Sequence, residues 1–340
     1  MVSNRIKADA RAHMARNPGT SYQASLRAVT ATPPKNTAGL LSRVPTFLEA
    51  LGIGDIATHD FTSAWRDTAQ AREIRVPFGY RCQDGEVSPQ LGYLALNDAD
   101  EDHLDCGSIG VVAGRTGSGK SYLFRGLALS LAATYAPDRV SLVLANLAGG
   151  PTFRGLGRLP HVALSLTNLR DDAGNRVQFL SYIRDEAQRR KEMLDRTSPS
   201  LPHMVIIVDE LGSGDWVISE VLAEIGRVGR PLGVHLVVST QGIMPEIREL
   251  LDNANYYIAF RLSSEEVSRE IIGTGEAASL TSVGAALYRR TADWAPTGVK
   301  TLTRSDPPAG GDAVGPSRET TQEDALIERL SSLAAHSLSE

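Results

Sequence analysis

The run "GRTGSGKS", Gly114 to Ser121, constrains this chain more than any other eight residues. It fills the pattern G-x-x-x-x-G-K-[ST], the signature of a phosphate-binding loop. Gly114, Gly117 and Gly119 let the backbone curl so that its N–H groups point inward at phosphate oxygens, with no Cβ in the way. Arg115, Thr116 and Ser118 complete the loop. Lys120 is a point charge for the β- and γ-phosphates, and the Ser121 hydroxyl is a Mg²⁺ ligand by type. The flanks agree with the loop. "SIGVVA" before it reads as a strand, and "YLFRGLALSLAATYA", opening at Tyr122, reads as a helix whose positive end faces the anion. The segment Gly114–Tyr122 is therefore the nucleotide-binding set, and ATP with Mg²⁺ is the implied ligand.

A hydrolytic half is also present. In "HMVIIVDEL" four apolar residues, Val205–Val208, place Asp209 at the C-terminal tip of a buried strand, where open α/β sheets bind ligands. Asp209 belongs to the Mg²⁺ shell, and Glu210 is the carboxylate that accepts a proton from attacking water. The strand "GVHLVVSTQ" ends in Ser239, Thr240 and Gln241, and Gln241 is the candidate for orienting that water.

Around these motifs the chain is organised in four parts. Residues 1–38 read as a basic helical pair and linker, and 39–107 as an α+β segment with strands in "IRVPFGYR" and "LGYLALN". Residues 108–300 alternate apolar strand runs with helical patterns, which is the signature of a parallel sheet with helices on both faces. The strand candidates are Ile109–Ala113, Leu142–Asn146, Val162–Leu166, Val205–Asp209, Val234–Ser239 and Tyr257–Arg261. Residues 301–340 read as a Pro/Gly-rich disordered linker and one amphipathic helix, with Thr320 and Glu323 as its capping box and Leu326, Leu330 and Leu333 as its apolar stripe. That stripe needs a partner surface, on this domain or on a neighbouring subunit.

Composition narrows the class. With 42% hydrophobic and 22% charged residues and a formal charge of −5, the chain is not coated in basic charge for nucleic acid, although a local patch is compatible with that total. Cys82 and Cys106 form no CxxC pair and read as reduced thiols. The acidic run "NDADEDHLD" lacks the spacing of a calcium loop. No apolar run reaches the roughly 18–20 residues that cross a bilayer, so the expected location is cytoplasmic, with a partner to recruit it to a membrane.

Taken together, "IRVPFG", "GGPTFRGLGRLPHV", "RRKEML", "VIIVDE", "IGRVGRPLGVHLVVSTQ" and "FRLSSEEVSREIIG" resemble the FtsK/SpoIIIE family of motor ATPases, and within it the EccC-type ATPases of type VII secretion. The resemblance runs over roughly residues 45–290. It implies a RecA-like (ASCE) P-loop fold with an extra strand between the two Walker strands, and homo-oligomers, hexamers or stacked rings. The work implied is translocation of DNA or of a protein secretion substrate, alongside membrane components. It also implies that Lys120 and Ser121 are the Walker A positions and Asp209 and Glu210 the Walker B pair. Arg269 then stands where an arginine reaches a neighbour's nucleotide, with Arg189, Arg190, Arg227 and Arg230 as rivals.

This chain departs from the resemblance at Asn146 and Ala148, where Asp and Lys are usual, and at Gly242, where Arg is common. Two functional expectations follow. One is an active ATPase motor, with the cargo left open between protein and DNA. The other is a nucleotide-gated scaffold with little turnover that assembles with a membrane-bound translocase.

Overall fold

The apolar runs around the phosphate loop are too short and too uniformly hydrophobic to stand alone, and they find one another in a single sheet. The computed structural model describes residues 44–71, 73–83, 86–96, 109–196, 201–302 and 321–337. The basic N-terminal helical pair, the acidic run at 97–105, Cys106 and the Pro/Gly-rich stretch at 304–319 lie outside the described residues.

In chain order the helices and strands are α1 (Phe47–Ala50), α2 (Phe61–Thr68), β1 (Arg75–Gln83), β2 (Glu86–Ala95), β3 (Ile109–Ala113), α3 (Lys120–Thr134), β4 (Val140–Asn146), β5 (Val162–Thr167), α4 (Ala173–Arg196), β6 (His203–Asp209), α5 (Trp216–Val228), β7 (Val234–Thr240), α6 (Arg248–Asp252), β8 (Tyr256–Ala259), α7 (Glu265–Ile272), β9 (Ala285–Arg290), β10 (Thr297–Thr301) and α8 (Gln322–Ser337). The sheet order is β2-β1-β10-β9-β8-β3-β7-β6-β4-β5. From β8 to β5 all pairings are parallel, and from β9 to β2 they are antiparallel. The strand β7 lies between the loop strand β3 and the acidic strand β6, the arrangement expected of a RecA-like core.

All six strand candidates form, each within a residue or two of its expected ends. Two more strands, β9 and β10, are absent from the sequence reading. They alternate small, polar and apolar residues in "AALYRR" and "TGVKT", too weak a pattern to stand out. Their role is to join the β1–β2 hairpin to the parallel half: β10 pairs with β1 at Gly79–Thr301 and with β9 at Val299–Ala286.

Helices cover both faces. On one, α1, α2, α3 and α8 bury Phe47, Phe61, Phe124 and Ile327 against the sheet. On the other, α4, α5, α6 and α7 bury Phe179, Ile218, Leu250 and Ile271. Being covered on both sides explains why β3 is buried at all five positions, whereas β5, at the sheet edge, is half exposed.

The apolar stripe of α8 is partnered within this chain. Leu326, Ile327 and Leu330 are fully buried in the cluster that contains α3 and Leu156. Thr320, the cap expected from the sequence, lies outside the described residues, and the described start of the helix carries a box one residue later. Thr321 Oγ1 accepts from the Asp324 amide at 3.2 Å, and the Thr321 amide donates to Asp324 Oδ2 at 3.4 Å. Asp324 therefore fills the position expected of Glu323. Glu323 instead turns into the domain and forms a buried ion pair with Arg125 on α3.

Candidate active site

The start of the phosphate loop is held by the chain at the ends of the two neighbouring strands, β7 and β8. The Gly114 amide donates to the Thr240 carbonyl at 3.0 Å and the Arg115 amide to the Arg261 carbonyl at 2.9 Å. Gly119 adopts φ +119° directly before α3, a conformation that favours glycine, so the helix opens sharply at Lys120. Its first-turn amides lack helical partners and face the loop's concave side, which is the physical basis of an anion site.

Lys120 is almost completely buried. Its ammonium donates to the carbonyls of Gly114 at 2.6 Å and Arg115 at 3.1 Å. Burial pulls its pKa below the usual lysine value, while the negative charges of Asp209 and Glu210 pull the other way. Among the described residues the loop thus holds its cation without a carboxylate partner, leaving the charge to be claimed by phosphate.

Asp209, at the tip of β6, is fully buried and makes no ion pair among the described residues. Four side chains donate to it. Ser121 Oγ and Thr152 Oγ1 reach Oδ2 at 3.0 and 2.6 Å, Asn146 Nδ2 reaches the same oxygen at 3.5 Å, and Ser239 Oγ reaches Oδ1 at 2.5 Å. A buried carboxylate met only by hydroxyl and amide donors, with one hydroxyl from the phosphate loop, suits a hard divalent cation. Ser121 and Asp209 are the residues that fit Mg²⁺.

Glu210 follows with φ +65°, rare for a residue with a side chain. Its amide donates to Ser239 Oγ at 2.9 Å, so one hydroxyl serves both members of the acidic pair. No described residue hydrogen-bonds the Glu210 carboxylate. It lines a cleft of about 710 Å³ together with Thr116, Lys120, Ser121, Tyr122 and Thr152. The far wall is made by Arg125, Arg154 and Arg158, and by Asp324 at the start of α8.

Sequence reasoning missed Thr152. It sits in "GGPTF", where Gly149 (φ +77°) and Pro151 turn the chain back toward β6. The unusual Asn146 takes part in the same turn, accepting from the Ala148 and Gly150 amides at 3.0 and 3.1 Å. An aspartate there would set a second carboxylate beside Asp209; asparagine supplies a donor instead.

Other predicted residues are further out. Gln241 is exposed just past β7 and does not line the cleft, and Ser239 makes the contacts at that strand tip. Arg269 is exposed on α7 and paired with Glu265. Arg189 and Arg227 are exposed and paired with Glu186 and Glu249, and Arg230 is exposed. Arg190 is not available to a neighbour. It is 2% exposed, bound to Glu186 and to the carbonyls of Pro202 at 2.8 Å and Leu232 at 3.0 Å, so it is a structural tie between α4 and the base of the sheet.

Residues 98–198 match the model of the FtsK/SpoIIIE family, a span that carries the phosphate loop and Asn146. The chain belongs to that family. It is similar to two secretion proteins of Mycobacterium tuberculosis. ESX-4 secretion system protein EccC4 is 32% identical over 254 residues, covering 68% of this chain and 20% of that protein. ESX-1 secretion system protein EccCa1 is 31% identical over 348 residues, covering 89% of this chain and 45% of that protein. Among solved structures, the cytoplasmic domain of the Thermomonospora curvata type VII secretion ATPase EccC superposes with a TM-score of 0.70 at 28% identity, over 85% of this chain and 34% of that one. This FtsK/SpoIIIE chain therefore spans less than half the length of these relatives. It is a P-loop ATPase domain of the EccC type by sequence and by fold. Among the described residues no helix is long and apolar enough to cross a membrane.

Proposed function

We propose that this chain binds and hydrolyses Mg·ATP at the cleft between the phosphate loop and the β6 tip, and that it does so as part of a translocating motor. The observation that carries the reading is the division of labour in the acidic pair. Asp209 is saturated with donors and fixed to Ser121, whereas Glu210 presents an unpaired carboxylate to the cleft.

In this reading the amides of Gly117–Ser121 and the Lys120 ammonium bind the β- and γ-phosphates. Ser121 and Asp209 would hold Mg²⁺, which when bound would offset charge on the phosphate oxygens. Glu210 accepts a proton from water as its oxygen bonds to the γ-phosphorus, and the bond from that phosphorus to the ADP oxygen breaks. Gln241 orients the water once a neighbouring subunit closes the exposed rim, and Arg269 or another exposed arginine completes the site from an adjacent protomer in a homo-oligomeric ring. The organisation into 39–107, 108–300 and a C-terminal segment serves one such ATPase unit.

The cargo follows the relatives: a protein secretion substrate handled with membrane components of a type VII-like system, with DNA as the other polymer a FtsK-type motor moves. The deciding experiment is steady-state ATP hydrolysis against protein concentration, with and without double-stranded DNA, beside Glu210→Gln. Cooperative growth of the rate, abolished in Glu210→Gln, is expected. Equal rates in both proteins would sink the hydrolytic reading and leave the nucleotide-gated scaffold, in which Lys120→Ala abolishes assembly. A steep loss of DNA stimulation with salt would mark phosphate contacts and name DNA as the cargo.

A further inference from the structure

A strand cannot place two successive side chains on one side, because its Cβ atoms alternate between faces. Yet Asp209 and Glu210 both serve one cleft. The left-handed turn at Glu210, φ +65°, is what breaks the alternation and brings the second carboxylate round beside the first. Such a backbone is unfavourable for a residue with a side chain, so it persists only where the surroundings hold it.

Two side chains do so. On the amide side, Ser239 Oγ accepts from Glu210 N at 2.9 Å. On the carbonyl side, Arg170 donates from Nη2 to the Glu210 carbonyl at 2.9 Å. Arg170 comes from another part of the fold, the turn between β5 and α4, where its own amide is fixed to the Leu147 carbonyl at 3.0 Å. Its guanidinium is aimed by Asp215, with Nη2 to Oδ2 at 2.7 Å and Nε to Oδ1 at 3.3 Å. Asp215 is buried, and its Oδ2 also accepts from the Gly212 amide at 2.9 Å. Arg170 and Asp215 therefore clamp both ends of the 210–215 loop, and the fork geometry that grips a carboxylate and a carbonyl together is one lysine does not reproduce.

We propose that Arg170, aimed by Asp215, is a positioning residue for ATP hydrolysis: it holds the Glu210 peptide in its left-handed turn so that the carboxylate faces the attacking water. Arg170 does not line the nucleotide cleft, so its loss acts on turnover and not on binding. This rests on the hydrolytic reading above.

The test compares kcat, KM and the affinity for a fluorescent ATP analogue in wild type, Arg170→Ala, Arg170→Lys, Asp215→Asn and Glu210→Gln. Arg170→Ala is expected to lower kcat at least tenfold while analogue affinity and KM stay within about twofold, with Arg170→Lys and Asp215→Asn between it and wild type. In a Glu210→Gln background Arg170→Ala adds no further loss. A wild-type kcat in Arg170→Ala, with Glu210→Gln inactive, overturns this assignment alone. A loss of analogue affinity that matches the fall in kcat/KM overturns it too, since Arg170 would then act on binding. Should Arg170→Ala not fold, Asp215→Asn carries the same comparison. If Glu210→Gln hydrolyses ATP like wild type, the hydrolytic reading falls and this one with it.

Discussion

The Ser121 hydroxyl donates to Asp209 Oδ2 at 3.0 Å, linking two residues 88 positions apart in the sequence. The contact joins the first turn of α3 to the tip of β6 and sets side by side the two oxygens proposed to hold Mg²⁺. Ser121→Ala removes one of those ligands but leaves Thr152 and Ser239 to hold Asp209. We expect the affinity for ATP in the presence of Mg²⁺ to fall at least about tenfold, roughly 1.4 kcal/mol, and the affinity for metal-free ATP to stay unchanged. Titration with a fluorescent ATP analogue, with and without EDTA, reads both values. An equal loss in the two conditions would remove Ser121 from the metal site.

Gly114 and Gly126 separate a glycine the fold requires from one it tolerates. A Cβ on Gly114 would stand 2.7 Å from both Phe260 Cβ and Ser118 Oγ, and Phe260 is fully buried with its amide bonded to the Ala113 carbonyl. Gly114→Ala should therefore cost about 1–3 kcal/mol and weaken nucleotide binding, because the loop must shift to relieve the overlap. Gly126, inside α3, has nothing within 4 Å of the same added atom. Gly126→Ala should raise stability by about 0.5–1 kcal/mol through helix propensity. Thermal or urea unfolding of the two variants checks the opposite signs.

The C-terminal helix α8 ties the cleft wall to the core. Ile327 is fully buried, Glu323 pairs with Arg125, and Ser331 Oγ donates to the Arg158 carbonyl at 2.8 Å. Arg125 is also bonded to the Arg154 carbonyl at 2.7 Å, so the pair braces the arginine-rich wall of the cleft. Ile327→Ala should destabilise the protein by about 2–4 kcal/mol. Glu323→Ala should weaken analogue binding as well as stability, because it leaves the part-buried Arg125 guanidinium without its carboxylate. Unchanged binding in Glu323→Ala would mean that the wall is set by the 150–158 loop alone.

How much of this was legible follows from the range of each signal. The loop Gly114–Ser121 and the pair Asp209–Glu210 carry their chemistry within a few residues, and the structure brings them to one cleft. Five of the six parallel strands are legible because burial on both faces makes each a short, mostly apolar run, whereas the edge strand β5 is legible from its alternating Val162, Leu164 and Leu166. Strands β9 and β10 are not, since exposure on part of each strand dilutes that pattern. Thr152 and Arg170 reach the acidic pair from loops 57 and 40 residues away in sequence, and nothing local to either residue announces a tertiary partner. Ser239 was named only as part of a polar strand end. Its two contacts, to Asp209 and to the Glu210 amide, depend on β7 lying beside β6, which spacing alone does not specify.

Acid should weaken the fold before it touches the carboxylates. His161 lies buried between Trp65 and the Tyr135 carbonyl, to which its Nε2 donates at 2.7 Å, and its Nδ1 has no partner among the described residues. Burial lowers its pKa to about 4. His235, stacked on His203 at the base of β7, is lowered to about 3 by burial and by its neighbour's positive charge. An unfolded chain takes up protons at histidines near pH 6.5, so between there and pH 4 the unfolded state binds more protons than the native one. Stability therefore falls as pH drops through that window, by up to about 1.4 kcal/mol per pH unit for each histidine, and the decline from His161 levels off below about pH 4. Urea midpoints measured between pH 7.5 and 5 should move steadily downward. His161→Gln keeps a donor for Tyr135 but cannot titrate, and it should flatten part of that slope. A midpoint independent of pH across this range would show that these histidines take up protons alike in the native and unfolded states and that their burial is incomplete.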